Sequence, residues 1–131
     1  MAVSIATNRY KRLTNLWLPV IMCMGLIFYA SSISGKDIPS LFPHEDILFH
    51  ASIYAILALF FYRALKFTGS RLIRIQLLIF TVIFGFAYGA SDEFHQMFTP
   101  GRDCSGFDLM VDTIGSCAGG FIGGIFHKWP K

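Results

Sequence analysis

"FDLMVDTIGSCAGGFIGGIF", residues 107–126, is twenty residues long and reads two ways. Its Phe, Leu, Val and Ile content suits a helix through a bilayer, whereas Asp108 and Asp112 belong in water. The spacing reconciles the two readings. Asp108, Asp112, Gly115, Gly119 and Gly123 fall on one stripe of a helix, so the polar and the small residues share a face. Glycines at small-xxx-small spacing let helices approach closely in a membrane. The stripe therefore packs against a neighbour and carries both aspartates inward with it.

Three further apolar runs precede it: "LWLPVIMCMGLIFYASSI" (16–33), "ILFHASIYAILALFFYRAL" (47–65) and "LIRIQLLIFTVIFGFAYGA" (72–90). All four are 18–20 residues long, against the roughly 20 helical residues that cross a hydrocarbon core. None shows the alternation over about 10 residues of a membrane strand. Hydrophobic residues make up 54% of the 131 and charged residues 15%, far from the soluble balance of about 25% charged. The expected fold is an all-α membrane protein, a single domain over 1–131. It is a four-transmembrane-helix bundle whose short connections make neighbours antiparallel. The first run follows "RYKR", as a signal peptide would, but it is longer than the usual signal core. It reads as a retained span with a mild kink at Pro19.

Charge sets the expected orientation. Arg9, Lys11, Arg12, Arg63, Lys66, Arg71, Arg74, Lys128 and Lys131 gather on one side, leaving Lys36 and Arg102 opposite. The positive-inside rule then puts both termini in the cytoplasm, N-in and C-in, in a multi-pass cell-membrane protein. All eight acidic residues fall on the outer side, where the functional loops are expected. The net charge of +3 is explained by a basic inner rim beside anionic lipid, and nucleic acid is not an expected partner. The three cysteines, with Cys104 alone outside, give no disulfide framework.

The candidate site lies at the outer end. Asp46, His50 and Tyr54 recur every four residues and share a face of the second span. His50 is about 4.5 Å inside, at 1.5 Å per residue. An ionisable residue within a span is a functional candidate by default, and Asp46, one turn above, is expected to orient the His50 ring. In the third span Gly85, Gly89, Asp92 and Gln96 continue one face, with Tyr88 one turn before Asp92; Glu93 points about 100° away. "TPGRDCSGFD" (99–108) turns at Pro100-Gly101 and opens the fourth helix with Ser105 as N-cap and Asp108 in its first turn. Asp112 lies about 7.5 Å past Phe107 and needs a partner or a proton there. The expected pocket is lined by Asp46, His50, Asp92, Gln96, Asp108 and Asp112. Arg102 and the helix-four N-terminus stand at its mouth, a combination that attracts phosphate.

The motifs "DILFHASIY" (46–54), "YGASDEFHQMFTPGR" (88–102) and "DLMVDTIGSCAGG" (108–120) make the chain resemble the VanZ-like family. The D-E-x-x-Q-x-F-x-P-G-R string, joined to D-x-x-x-H upstream, is specific. The resemblance marks Asp46, His50, Tyr54, Tyr88, Asp92, Glu93, Gln96, Arg102, Asp108 and Asp112, and brings Glu93 into the site. Asp112 stands where the family often has Asn, which adds a titratable group. The resemblance implies an integral membrane protein, with named members conferring low-level resistance to teicoplanin-type glycopeptides.

Two functions follow as expectations. In the first, the bundle binds a membrane lipid or lipid-linked envelope precursor through Tyr54, Tyr88, Asp92, Glu93, Gln96, Arg102, Asp108 and Asp112. In the second, it is an intramembrane enzyme acting on a lipid phosphate or ester, with His50, Asp46 and Glu93 as catalytic candidates. Asp92, Asp108 and Asp112, with Glu93 beside them, could then hold a divalent cation such as Mg²⁺. A proton or ion pathway suits the buried His and Asp, but the inner halves of spans three and four carry few polar groups for it. Homo-oligomerisation is left open.

Overall fold

The computed structural model describes residues 2–37, 44–69 and 71–126. It is all-helical: α1 (Ala2–Ser31), α2 (Glu45–Phe67), α3 (Arg74–Gln96) and α4 (Gly106–Ile125), with a 3₁₀ turn at Gly35–Asp37. Among the described residues there is no strand. Lys128 and Lys131, counted in the charge asymmetry, lie outside them.

Among the described residues, three helices are long and apolar enough to cross a membrane: Asn8–Ser31 of α1, α2 and α3. In α4 the glycines and the two aspartates lower the hydropathy, and of these α4 buries Asp112 and the glycines from Gly115 onward. Asp112, Gly115, Ser116, Gly119, Gly120, Gly123 and Gly124 are enclosed, while Phe107, Met110, Ile114, Phe121 and Ile125 face out. The same pattern recurs in the other helices beside an apolar core. Thr81, Asp92, Glu93, Gln96, Asp112 and Ser116 are buried, and Leu26, Phe28, Ile56, Ile83 and Phe86 are exposed. Large exposed apolar surface around buried polar groups is what a lipid solvent permits and water penalises.

The packing follows from where side chains are missing. α4 lies closest to α2, then α3, while α1 packs on α2 and α3. A Cβ at Gly115 or Gly119 would run into the backbone of Ala51 or Ala55 in α2, and one at Gly123 into the Tyr62 ring. A second small face, Gly120 and Gly124, meets Leu78, Thr81 and Arg74 of α3. Gly85 and Gly89 of α3 in turn leave room for Ser116 and Asp112. α4 is thus wedged into the α2–α3 groove by glycines on both sides of the contact.

α1 is held differently. Leu16, Val20, Cys23 and Ile27 form an apolar stripe against Tyr54, Leu57 and Ala64 of α2. Phe61 of α2 stacks on Phe84 of α3 with ring centroids 3.9 Å apart. At the far end Gly35 N–H donates to the Pro100 carbonyl at 3.1 Å. The turn there passes through Gly101 at φ 74°, a left-handed conformation open to glycine without steric cost.

Candidate functional site

α3 does not stop at Ala90, the end of the third apolar run. It continues to Gln96, so Asp92, Glu93 and Gln96 sit on rigid helix. Asp92 and Glu93 are consecutive and therefore point about 100° apart. That angle divides the polar groups into two clusters.

The first cluster joins α2, α3 and α4. His50 Nδ1 lies 2.8 Å from Asp112 Oδ1, with the His50 side chain 16% exposed and that of Asp112 0%. Glu93 enters from α3, and one ligand atom each from His50, Glu93 and Asp112 lie within 4.8 Å of one another. The Glu93 Oε2 atom accepts the Ser105 backbone N–H at 2.6 Å. The same Ser105 caps α4, its hydroxyl accepting from the Asp108 N–H at 3.2 Å. One serine thus fixes both the start of α4 and the Glu93 carboxylate. Gly89 leaves room for the cluster: a Cβ there would stand a tight 3.1 Å from Asp112 Oδ2.

The second cluster joins α1 and α3. Ser31 Oγ donates to Asp92 Oδ1 at 2.6 Å, and Gln96 Nε2 donates to Asp92 Oδ2 at 3.2 Å. Both Asp92 oxygens are therefore engaged. One turn below, Tyr88 donates its hydroxyl to the Met24 carbonyl at 2.7 Å. Beyond it, His95 stacks on Phe28 at 4.5 Å and meets Ser32 Oγ at 3.0 Å.

The two clusters sit at the end of the bundle formed by the close of α3 and the opening of α2 and α4. The VanZ/LLP1 family model matches residues 16–127. The chain belongs to the VanZ/LLP1 family. No curated protein and no solved structure matches it.

In this VanZ-type chain the expected single pocket is resolved into parts. His50, Glu93 and Asp112 come together; Asp92 and Gln96 belong with Ser31 instead. Asp46 was expected to orient His50, but it is exposed, and the bond comes across the bundle from Asp112. Four residues up the same helix, Asp46 has solvent available and gains nothing by leaning on the ring. Arg102, expected at the mouth of an anion site, instead donates to the carbonyls of Ala30 (3.2 Å) and Ile33 (3.4 Å). The Ala30 carbonyl also accepts the Ile33 N–H at 3.2 Å, so Arg102 adds a second bond there and ties the end of α1 to the loop before α4. Asp108 is half-buried in the first turn of α4, a capping position. Among the described residues His50, Glu93 and Asp112 are the group whose donor atoms lie close enough to share an ion, while Asp92 of the expected cation set bonds Ser31 and Gln96.

Tyr54 lies in the core at 1% exposure, one turn below His50, and its hydroxyl has no hydrogen-bond partner. Ser31 and Ser116 are the residues that sequence reasoning passed over. The "YASS" end of the first span held the signal for Ser31. Ser116 sits one turn below Asp112 with its hydroxyl buried and unpartnered. It was hidden because a serine inside a span ordinarily bonds its own helix.

Proposed function

We propose that this VanZ-type protein binds the polar head of a lipid-linked or lipid-tailed envelope molecule at the His50–Glu93–Asp112 end of its bundle. In this reading α4 is a fourth span, both termini are cytoplasmic and the cluster faces the extracytoplasmic side. Twenty residues of α4 reach about 30 Å at 1.5 Å each. The basic residues gathered at the opposite end support the orientation.

One observation carries the reading. Three helices each spend an ionisable side chain on the same small volume at one end of the bundle; with the helices as spans, that end meets the membrane boundary, where such groups are costly unless they serve a ligand or partner. Around that end Phe94, Met97, Phe98, Phe107 and Met110 are exposed, an apolar collar suited to a lipid tail. Resistance of the teicoplanin type would follow by competition, because a lipid-tailed glycopeptide and the natural ligand would seek the same membrane position. The test is mass spectrometry of lipid retained through mild detergent extraction. The wild-type protein should keep one lipid class that folded His50→Gln loses. Identical lipid profiles in the two would remove the binding reading.

The His50–Asp112 bond favours a second reading. A ring held by a carboxylate at Nδ1 is oriented for proton transfer at its other nitrogen. An intramembrane enzyme would then act on a phosphate or ester of the lipid. Turnover of supplied lipid that vanishes in folded His50→Gln supports the enzyme, since Gln cannot take and return a proton at neutral pH. Binding without turnover leaves the first reading.

A further inference from the structure

The carboxylates that meet His50 are enclosed, Asp112 at 0% and Glu93 at 3% exposure. Each has one oxygen in use and one idle. Asp112 Oδ1 faces His50, and Glu93 Oε2 accepts from Ser105. Asp112 Oδ2 and Glu93 Oε1 are buried with no hydrogen-bond partner, as is the Tyr54 hydroxyl of the same face of α2 as His50. Buried oxygens of this kind are normally satisfied. Two carboxylates this close repel in a medium of low dielectric, and a single histidine cannot neutralise both.

We propose that His50, Glu93 and Asp112 hold one divalent cation, an inference that rests on reading this cluster as the working site. Donor atoms within 4.8 Å of one another suit an ion about 2.0–2.5 Å from each. Glu93 Oε1 and Asp112 Oδ2 are the oxygens available to it, and His50 offers a ring nitrogen. One imidazole with two carboxylates points to Mn²⁺ or Zn²⁺ rather than Ca²⁺, whose sites are built from oxygen. Three protein ligands leave coordination positions open, as in metal sites that receive substrate. The ion also explains how an acidic cluster accepts an anionic head. Without it the carboxylates repel a phosphate; with it a phosphate oxygen completes the coordination shell.

The test is metal binding to the purified, chelator-stripped protein in detergent, without added lipid, read by equilibrium dialysis and elemental analysis. The wild type should take up Mn²⁺ or Zn²⁺ near one per chain. Glu93→Gln and Asp112→Asn should each weaken uptake at least tenfold, with helicity by circular dichroism unchanged. Asp103→Asn, in the exposed loop, should leave uptake as it was. No stoichiometric uptake by wild type, or full uptake by folded Glu93→Gln, overturns the proposal. The same preparations are assayed for retained lipid with and without chelator. Metal uptake without lipid retention upholds the cation and removes the lipid reading. Lipid retention indifferent to chelator, with no metal uptake, does the reverse.

Discussion

Gly119 of α4 stands against the carbonyl oxygen of Ala55 in α2, with no space between them for a Cβ. The obstacle is backbone, which cannot swing aside as a flexible side chain would. Gly119→Ala should therefore lower stability by about 1–3 kcal/mol, the usual cost of overpacking, and Gly119→Leu should cut folded yield in detergent severalfold. Gly25→Ala is the control, since a Cβ there meets nothing within 4 Å. Equal melting for the Gly119 and Gly25 variants would place the α4 stripe against lipid.

His50 and Asp112 are unequal partners. Removing the ring in His50→Leu leaves the fully enclosed Asp112 without the one side-chain partner of its Oδ1 atom, a loss of about 2–3 kcal/mol for an unsatisfied buried group. Asp112→Asn keeps an oxygen that can accept from the ring and should cost about 1 kcal/mol. Unfolding by graded SDS in mixed micelles reads the difference. Equal losses would mean that Asp112 finds a hydrogen-bond partner other than His50.

Arg102 is expected to act as a clamp on α1. Arg102→Ala and Arg102→Lys should both loosen residues 28–33, because lysine cannot span the two carbonyls that the guanidinium fork reaches. Hydrogen exchange should quicken there while the His50 region keeps its protection. Faster exchange around His50 alone, with residues 28–33 unchanged, would make Arg102 part of the ligand site.

Sidedness can be read with the native thiols. Cys104 is exposed in the loop before α4, Cys23 is buried, and Cys117 is exposed on the outer face of α4. A charged, membrane-impermeant maleimide should label Cys104 in intact cells. Cys117 should stay unlabelled, since a charged reagent does not enter hydrocarbon. Labelling of Cys104 only after permeabilisation would invert the orientation, and labelling of Cys117 from the aqueous side would remove α4 from the membrane.

The helices were legible because each apolar run is long and continuous, and the inward face of α4 was legible because Asp112, Gly115 and Gly119 share a helical stripe. The grouping of the site was not. Helical spacing says which residues of one helix share a face, and so it joined Asp46 to His50 and Asp92 to Gln96. It cannot say which face of a second helix comes opposite. His50 pairs with Asp112 across the α2–α4 contact, a partner 62 positions away. Glu93 looked misplaced by angle only because the third helix was assigned one interior face. α3 has neighbours on two sides, α1 toward Asp92 and α4 toward Glu93, and each acid found its partners on its own side. Ser31 and Arg102 carry the same lesson, since their partners come from α3 and α1 across the bundle. The sequence by itself determined the helices, the inward stripe of Asp112, Gly115 and Gly119 on α4 and the family motif, all of which depend on residues a turn or two apart. The tertiary structure decided which carboxylate holds His50 and which three side chains could share an ion. Those choices depend on the depth to which the α4 glycines let the helices close, and only the folded packing defines that depth.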